Sequence, residues 1–261
     1  MKIPLKSPEE IKIMQEGGRK LSAVLRQLVE MAKPGVTLAD VEKRAQDLIK
    51  KTGGVPGFAR VAGYKWATCI NVNDGIVHGI PDETEIKEGD VVSVDIGLFY
   101  KGLNTDTCRT VYAQSLSQKP KAKSQKHEDI NLFLKTGKQA LEEAIKQAKV
   151  GNRVGHISRA IQKRIEGAGY SSVRNLTGHG VGKKLHEPPQ IPCFLDKKIK
   201  DTLLLKKGMT LAIEVIYAMG NPTNHTKIDG WTIATSDGKI SAVFEKTIAV
   251  TNDGPLILTD F

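Results

Sequence analysis

Residues 87–95 read K-E-G-D-V-V-S-V-D, and residues 206–214 read K-K-G-M-T-L-A-I-E. Lysine, glycine and the closing carboxylate coincide at one offset, 119. Each segment is a run of strand-forming residues that ends on an acid, Asp95 in the first and Glu214 in the second. A bare carboxylate inside an apolar strand is costly unless it is paired or holds a cation. A second acid follows each on a later strand-like run: Asp106 in N-T-D-T-C-R-T-V and Glu245 in V-F-E-K-T-I-A-V. Two pairs of buried carboxylates in a repeated setting read as the walls of a metal site.

The flanking segments repeat as well. Ser7, Pro8 and Glu10 form a capping box that opens a first helix, with Ile11, Met14, Leu21, Val24, Leu25, Leu28 and Met31 at helical spacing and Pro34-Gly35 as its stop. Thr37 and Asp40 start a second helix, whose buried face is Leu38, Val41, Ala45, Leu48 and Ile49. The later half predicts helices over about 129–149 and 153–166. Ala32, Lys33, Gly35, Gln46 and Gly53 match Ala148, Lys149, Gly151, Gln162 and Gly169 at offset 116. The expected fold class is therefore α/β of the α+β kind, with internally duplicated helix-helix-strand halves around an antiparallel sheet. Residues 1–261 are expected to form a single catalytic domain of two pseudo-symmetric halves, about 1–113 and 128–261, joined by a basic loop.

An even hairpin loop centred between Tyr100 and Lys101 places Asp95 directly opposite Asp106, with Cβ atoms about 4.5–5.5 Å apart. Carboxylates that close repel unless a cation lies between them or one takes a proton. The turn Ser236-Asp237-Gly238-Lys239 predicts a second hairpin, with Glu245 opposite Gly230 and beside Trp231.

The composition, 39% hydrophobic and 26% charged, is that of an ordinary globular protein, and no apolar run approaches the roughly 18 residues of a membrane span. The first ten residues are charged and lack the apolar core of a signal peptide. Three widely spaced cysteines without a C-x-x-C pair fit a reducing compartment, so a cytoplasmic, membrane-free protein is expected, as a monomer. The net charge of +10 fits either a lysine-rich solvated surface or a polyanionic partner such as RNA.

Of six histidines, three sit beside glycine or proline, where the backbone turns tightly and presents a side chain: His78 in V-H-G-I-P, His179 in T-G-H-G-V-G and His186 in L-H-E-P-P. His179 is the best ligand candidate; His78 and His186 suit proton transfer or substrate contact. His127, His156 and His225 lack such context. Oxygen ligands with one imidazole suit manganese, iron, cobalt or zinc. G-x-S-x-G, Walker-type and H-E-x-x-H motifs are absent, and the prolines after His186-Glu187 break the helix a zinc-protease motif needs.

With V-D-I-G, N-T-D-T, T-G-H-G-V-G, H-E-P-P, A-I-E and F-E-K-T-I in order between about residues 7 and 255, the chain resembles the type I methionine aminopeptidases. That resemblance implies the pita-bread fold. It also implies two divalent metal ions (Co, Mn, Fe or Zn) that share Asp106 and Glu245. Asp95 completes one ion, and His179 with Glu214 completes the other. It further implies that Glu214 accepts and returns a proton, that His186 contacts the scissile amide, and that His78 holds the substrate or protonates the leaving amine. Tyr64, Cys69 and Trp231 occupy the positions of the methionine pocket. The implied substrates are N-termini of peptides and nascent proteins with a small second residue. Val61 and Leu185 depart from the family's usual tyrosine and phenylalanine, and Asn104 departs from its usual residue before Asp106. Short length points to the bacterial or organellar subtype.

Two other readings compete. One is a proline-directed, prolidase-like aminopeptidase of the same fold, which usually carries a further N-terminal domain. The other is a non-catalytic protein of this fold that binds RNA or the ribosome. The segment 118–127 carries Lys119, Lys121, Lys123 and Lys126 without an acid, and predicts an exposed loop able to dock on ribosomal RNA.

Overall fold

The structure, a computed structural model, describes residues 3–114 and 125–260. Helix α1 (Pro8–Met31) begins as its capping box requires: Ser7 Oγ accepts from Glu10 N at 3.2 Å, and Glu10 Oε2 accepts from Ser7 N at 2.9 Å. Helix α2 (Leu38–Lys51) starts on the equivalent box of Thr37 and Asp40. The chain then runs through β1 (Val55–Pro56), a 3₁₀ turn at Phe58–Arg60, β2 (Thr68–Val72), β3 (Gly75–Val77), β4 (Val91–Tyr100) and β5 (Leu103–Tyr112). After α3 (Gln125–Gln147) and α4 (Val154–Gly167) come β6 (Ser171–Ser172), β7 (Thr177–Gly180), β8 (Glu187–Pro192) and β9 (Thr210–Ala218). The last strands are β10 (Asn224–Thr226), β11 (Ile233–Thr235), β12 (Ser241–Thr251) and β13 (Gly254–Ile257).

The main sheet runs β1-β4-β5-β12-β9-β7-β8, antiparallel throughout, with β5 and β12 joining the strands of the first half to those of the second. Helix α1 packs on β4 and β5, and α3 packs on β9 and β12. Strand alternation does the rest. Val94, Ile96 and Leu98 enter the core beneath α1 and α2, so Asp95 points to the opposite face. Ile213, Val215 and Phe244 enter the core beneath α3 and α4, so Glu214 and Glu245 point to the opposite face as well.

The register of the β4–β5 hairpin differs from the expectation by two residues. Asp95 faces Cys108, and Asp106 faces Gly97. The turn is Lys101-Gly102, not Tyr100-Lys101, and both of its residues have positive φ, 47° and 88°. A two-residue hairpin turn of this hand is favoured by the sheet twist and needs left-handed backbone twice. Gly102 supplies one such position freely, whereas Tyr100 stays extended opposite Leu103. A shift of two preserves the face, so Asp95 and Asp106 are diagonal rather than direct neighbours.

The second hairpin expectation is corrected outright. Glu245 faces Glu214 on β9 and Cys108 on β5, not Gly230. Strand β11 instead joins a separate small sheet of order β10-β11-β3. Helix α3 begins at Gln125, so residues 125–127 of the expected basic loop are helical; residues 115–124, with Lys119, Lys121 and Lys123, lie outside the described residues. Among the described residues no helix is long and apolar enough to cross a membrane.

Candidate metal centre

The carboxylates singled out from the sequence meet on the face of the sheet away from the helices. Asp106 and Glu245 are 3% and 2% exposed, and Asp95 and Glu214 are half-buried. His179 reaches them from β7, where a register shift between His179 and Gly180 interrupts the pairing with β8 and turns the imidazole inward. Its Nδ1 lies 2.8 Å from Gly180 O. Donation of the Nδ1 proton to that carbonyl leaves the Nε2 lone pair free. Nε2 lies 3.4 Å from Glu214 Oε1 and 3.8 Å from Asp106 Oδ2. One ligand atom each from Asp106, His179 and Glu245 fall within 4.8 Å of one another.

The electrostatics of this cluster demand a cation or protons. Burial, and then repulsion by Asp106 and Glu214, pushes the Asp95 carboxyl well above the usual range. Glu245 is raised by burial and then by Asp106, Glu214 and Asp95; Glu214 by burial and then by Asp106. Burial pushes Asp106 up to about 7. Two buried oxygens, Asp95 Oδ1 and Glu245 Oε1, have no hydrogen-bond donor among the described residues. Burial, with His186 alongside, lowers His179 to about 4, which keeps its imidazole neutral and able to ligate. Unpaired acceptor oxygens, four mutually repelling carboxylates and one neutral imidazole fit divalent cations of the hard-to-borderline kind. This donor set suits a bound metal.

The other candidates line the same cavity of about 970 Å³: His78, His186, Tyr64, Cys69 and Trp231. The His186 ring lies edge-on to His179, centroids 4.5 Å apart. Burial lowers His186, and burial and then His186 lower His78. His78 takes a left-handed backbone, φ 59°, held by the Gly79 N–H, which donates to Asn71 Oδ1 at 2.9 Å. The β3–β11 pairing puts Val77 opposite Ile233, and so brings His78 and Trp231 to one end of the small sheet. Tyr64 sits between the rings of Trp66 and Trp231, each 5.1 Å away in edge-on contact. With Phe58, Cys69 and Leu185 it forms an apolar cluster, flanked by Val61. The cluster adjoins the carboxylates, because Cys69 is the cross-strand partner of Asp95.

The three histidines without turn context play other parts. His156 Nδ1 accepts from Arg153 N at the start of α4, His127 meets Gln114, and His225 is exposed on β10.

Two features escaped the sequence reading. Glu42 on α2 is 5% exposed and accepts from Ala67 N, Thr68 N and Thr68 Oγ1, tying down the segment that carries Tyr64 and Cys69. Its position, on the apolar face of α2 between Val41 and Ala45, was the available signal. Lys6 and Glu187 form a buried ion pair next to His186, for which no local pattern gave a sign.

The comparisons with known proteins agree with this geometry. The model of metallopeptidase family M24 matches residues 12–252. The methionine aminopeptidase of Clostridium perfringens is 37% identical over 257 residues, covering 98% of either chain. The crystal structure of methionine aminopeptidase from Thermotoga maritima superposes with a TM-score of 0.91 at 38% identity over the whole of both chains. Prolidase from Pyrococcus furiosus, 24% identical with a TM-score of 0.75, shares the fold; the match covers 98% of this chain and 65% of that one. A carboxylate–imidazole cluster on the inner face of a duplicated antiparallel sheet, full-length identity above 30% and a family match over most of the sequence lead to one conclusion: the chain belongs to metallopeptidase family M24, of pita-bread fold, and within it to the type I methionine aminopeptidases.

Proposed function

We propose that this chain is a metal-dependent aminopeptidase that removes the N-terminal methionine from peptides and nascent proteins whose second residue is small. One observation carries the reading: a cluster of four carboxylates and one neutral imidazole abuts an apolar pocket through a single cross-strand pair, Asp95 and Cys69. A free amine drawn to the carboxylates leaves an apolar side chain to fill the space by Tyr64, Cys69 and Trp231. Only the first residue of a chain carries both groups, which accounts for an exopeptidase.

In this reading Asp95, Asp106, His179, Glu214 and Glu245 would hold two divalent ions, Co, Mn, Fe or Zn. Such ions supply Lewis acidity and bring the pKa of a water toward neutrality. Glu214, half-buried at the edge of the cleft, accepts a proton at its carboxylate and returns it to the departing amine. His186 donates a hydrogen bond to the scissile amide, and His78, which lines the same cleft, holds the substrate backbone. The Met side chain is enclosed by the edge-on rings of Tyr64 and Trp231. Residues 1–261 act as one catalytic domain of two pseudo-symmetric halves, about 1–113 and 128–261, working as a monomer in the cytoplasm. The lysines at 119, 121, 123 and 126 contact ribosomal RNA; of these, Lys126 is exposed in the first turn of α3.

The decisive experiment is cleavage of Met-Ala-Ser by metal-stripped protein titrated with Mn, Fe, Co and Zn, with Ala-Pro-Ala as the counter-substrate. Activity on the first peptide alone supports the reading, and preference for the second replaces it with the prolidase-like one. By kcat/KM, Met-Ala and Met-Gly peptides should exceed Met-Leu and Met-Arg. Ribosome co-sedimentation of a variant with all four lysines changed to glutamine tests the RNA contact; unchanged sedimentation across a salt series refutes it.

A further inference from the structure

Residues 182–187 lead from β7 to β8 and carry His186 at the mouth of the cleft. This turn is tied from three sides. Asn104 on β5, two residues before Asp106, donates from its side chain to Gly182 O at 2.8 Å and Lys183 O at 3.3 Å, and from its backbone N–H to Gly182 O at 2.7 Å. Glu187 Oε1 accepts from Lys184 N at 3.0 Å. Glu187 Oε2 pairs with Lys6 Nζ, and the two side chains are 5% and 3% exposed. The Lys6 backbone N–H donates in turn to Gly208 O at 2.7 Å, in the bend that leads into β9 and Glu214. A Cβ on Gly182 would lie 2.2 Å from Lys6 Cε, so the lysine occupies space that only a glycine leaves open. Ile3 of the same N-terminal arm lines the cleft.

Lysine and glutamate are almost never buried unless paired. Such a pair contributes little net stability compared with apolar packing, yet removing one partner strands a charge. What it does provide is one fixed geometry. Here that geometry joins the bend before Glu214 to the turn of His186, and Asn104 joins the same turn to the strand of Asp106.

We propose that Lys6 is a positioning residue, whose buried ammonium, clamped on Glu187, holds the His186 imidazole in register with the carboxylate cluster. This rests on the role given above to His186. Lys6 does not line the cleft and acts only through the turn.

The test uses full-length, metal-loaded protein and Met-Ala-Ser. Lys6→Met should lower kcat on the order of 10- to 100-fold, with KM and bound metal near those of the unaltered protein. In the His186→Ala background, which itself has lowered kcat with metal retained, Lys6→Met should cost less than about twofold more, since the group it positions is gone. Lys6→Met/Glu187→Gln removes the stranded charge while keeping an oxygen for the Lys184 N–H. It should recover part of the loss but stay several-fold below the starting kcat, and it serves as the measurement if Lys6→Met alone does not fold. Full kcat in the folded double variant, or an equal drop from Lys6→Met with and without His186, overturns the proposal alone. Unchanged kcat on His186→Ala overturns it together with the reading of His186.

Discussion

Replacing Glu42 by alanine should damage the proposed methionine pocket without touching the proposed metal ligands. Glu42 lies on α2, away from the cleft, and its carboxylate accepts from Ala67 N at 2.7 Å, Thr68 N at 3.0 Å, Thr68 Oγ1 at 2.6 Å and Gln46 Nε2 at 2.7 Å. Ala67 and Thr68 are 1% and 0% exposed. Alanine at 42 therefore leaves two buried backbone N–H groups without an acceptor, each costing about 1–3 kcal/mol. The space left is polar and large enough for water, which returns part of that cost. The net expectation is a loss of about 2–5 kcal/mol in unfolding free energy, read by urea denaturation as a lower midpoint at constant m. The freed segment carries Tyr64, Trp66 and Cys69, so KM for a Met-Ala peptide should rise about tenfold, equivalent to ~1.4 kcal/mol of lost pocket binding. Metal content should hold, because the proposed ligands stand on β4, β5, β7, β9 and β12. A stability loss under about 1 kcal/mol together with an unchanged KM would refute the reasoning.

Three further outcomes are expected. Asp106→Ala and Glu245→Ala should each abolish turnover and reduce bound metal, measured by elemental analysis, since each removes a central oxygen and leaves its neighbours repelling; near-normal turnover with full metal in either contradicts the ligand assignment. Asp106 is raised in the folded state to about 7, so the folded metal-free protein holds a proton there that the unfolded chain releases near pH 4. The contribution of this group to stability therefore falls as pH rises from about 4 to about 7. Metal-free Asp106→Asn should lose less stability over that window, and metal addition near pH 6 should release protons to a dye; no release speaks against the protonated cluster. Gly137→Ala improves helix propensity by about 1 kcal/mol, but its Cβ would lie 2.4 Å from Tyr217 Oη and 2.6 Å from Phe244 Cδ2. Overpacking of about 1–3 kcal/mol should win, so thermal unfolding is expected to move down and not up.

Much of the site was legible because its signals are local. The carboxylates Asp95, Asp106, Glu214 and Glu245 announce themselves by interrupting apolar strands, and strand alternation alone puts each on the face away from the helices. That is why a hairpin register wrong by two still placed Asp95 and Asp106 on the same side: parity survives an even shift. The helix starts at Ser7 and Thr37 were readable for the same reason, as each cap is complete within four residues. His179 stood out by its flanking glycines, which mark the bulge that turns its ring inward.

What the sequence left open was decided by contacts between distant segments. Glu245 was assigned a partner from its nearest turn, but β12 is a central strand, and its neighbours are β5 and β9. Their pairing is chosen by burial beneath α3, not by the loop that precedes it. Trp231 and His78 line one cleft because β11 crosses to β3, and no local pattern encodes that pairing. Glu42 finds its donors 25 and 26 residues on, and Lys6 finds Glu187 across 181. Backbone conformation and the face of a strand depend on residues within a turn or two, so the sequence alone determined the candidate ligands, the strand faces of the carboxylates and the helix starts at Ser7 and Thr37. The partner of a buried charge depends on which surfaces pack together, and only the tertiary structure decided how the candidate ligands are spaced, that Glu42 binds the segment at Ala67 and Thr68, and that Lys6 pairs with Glu187.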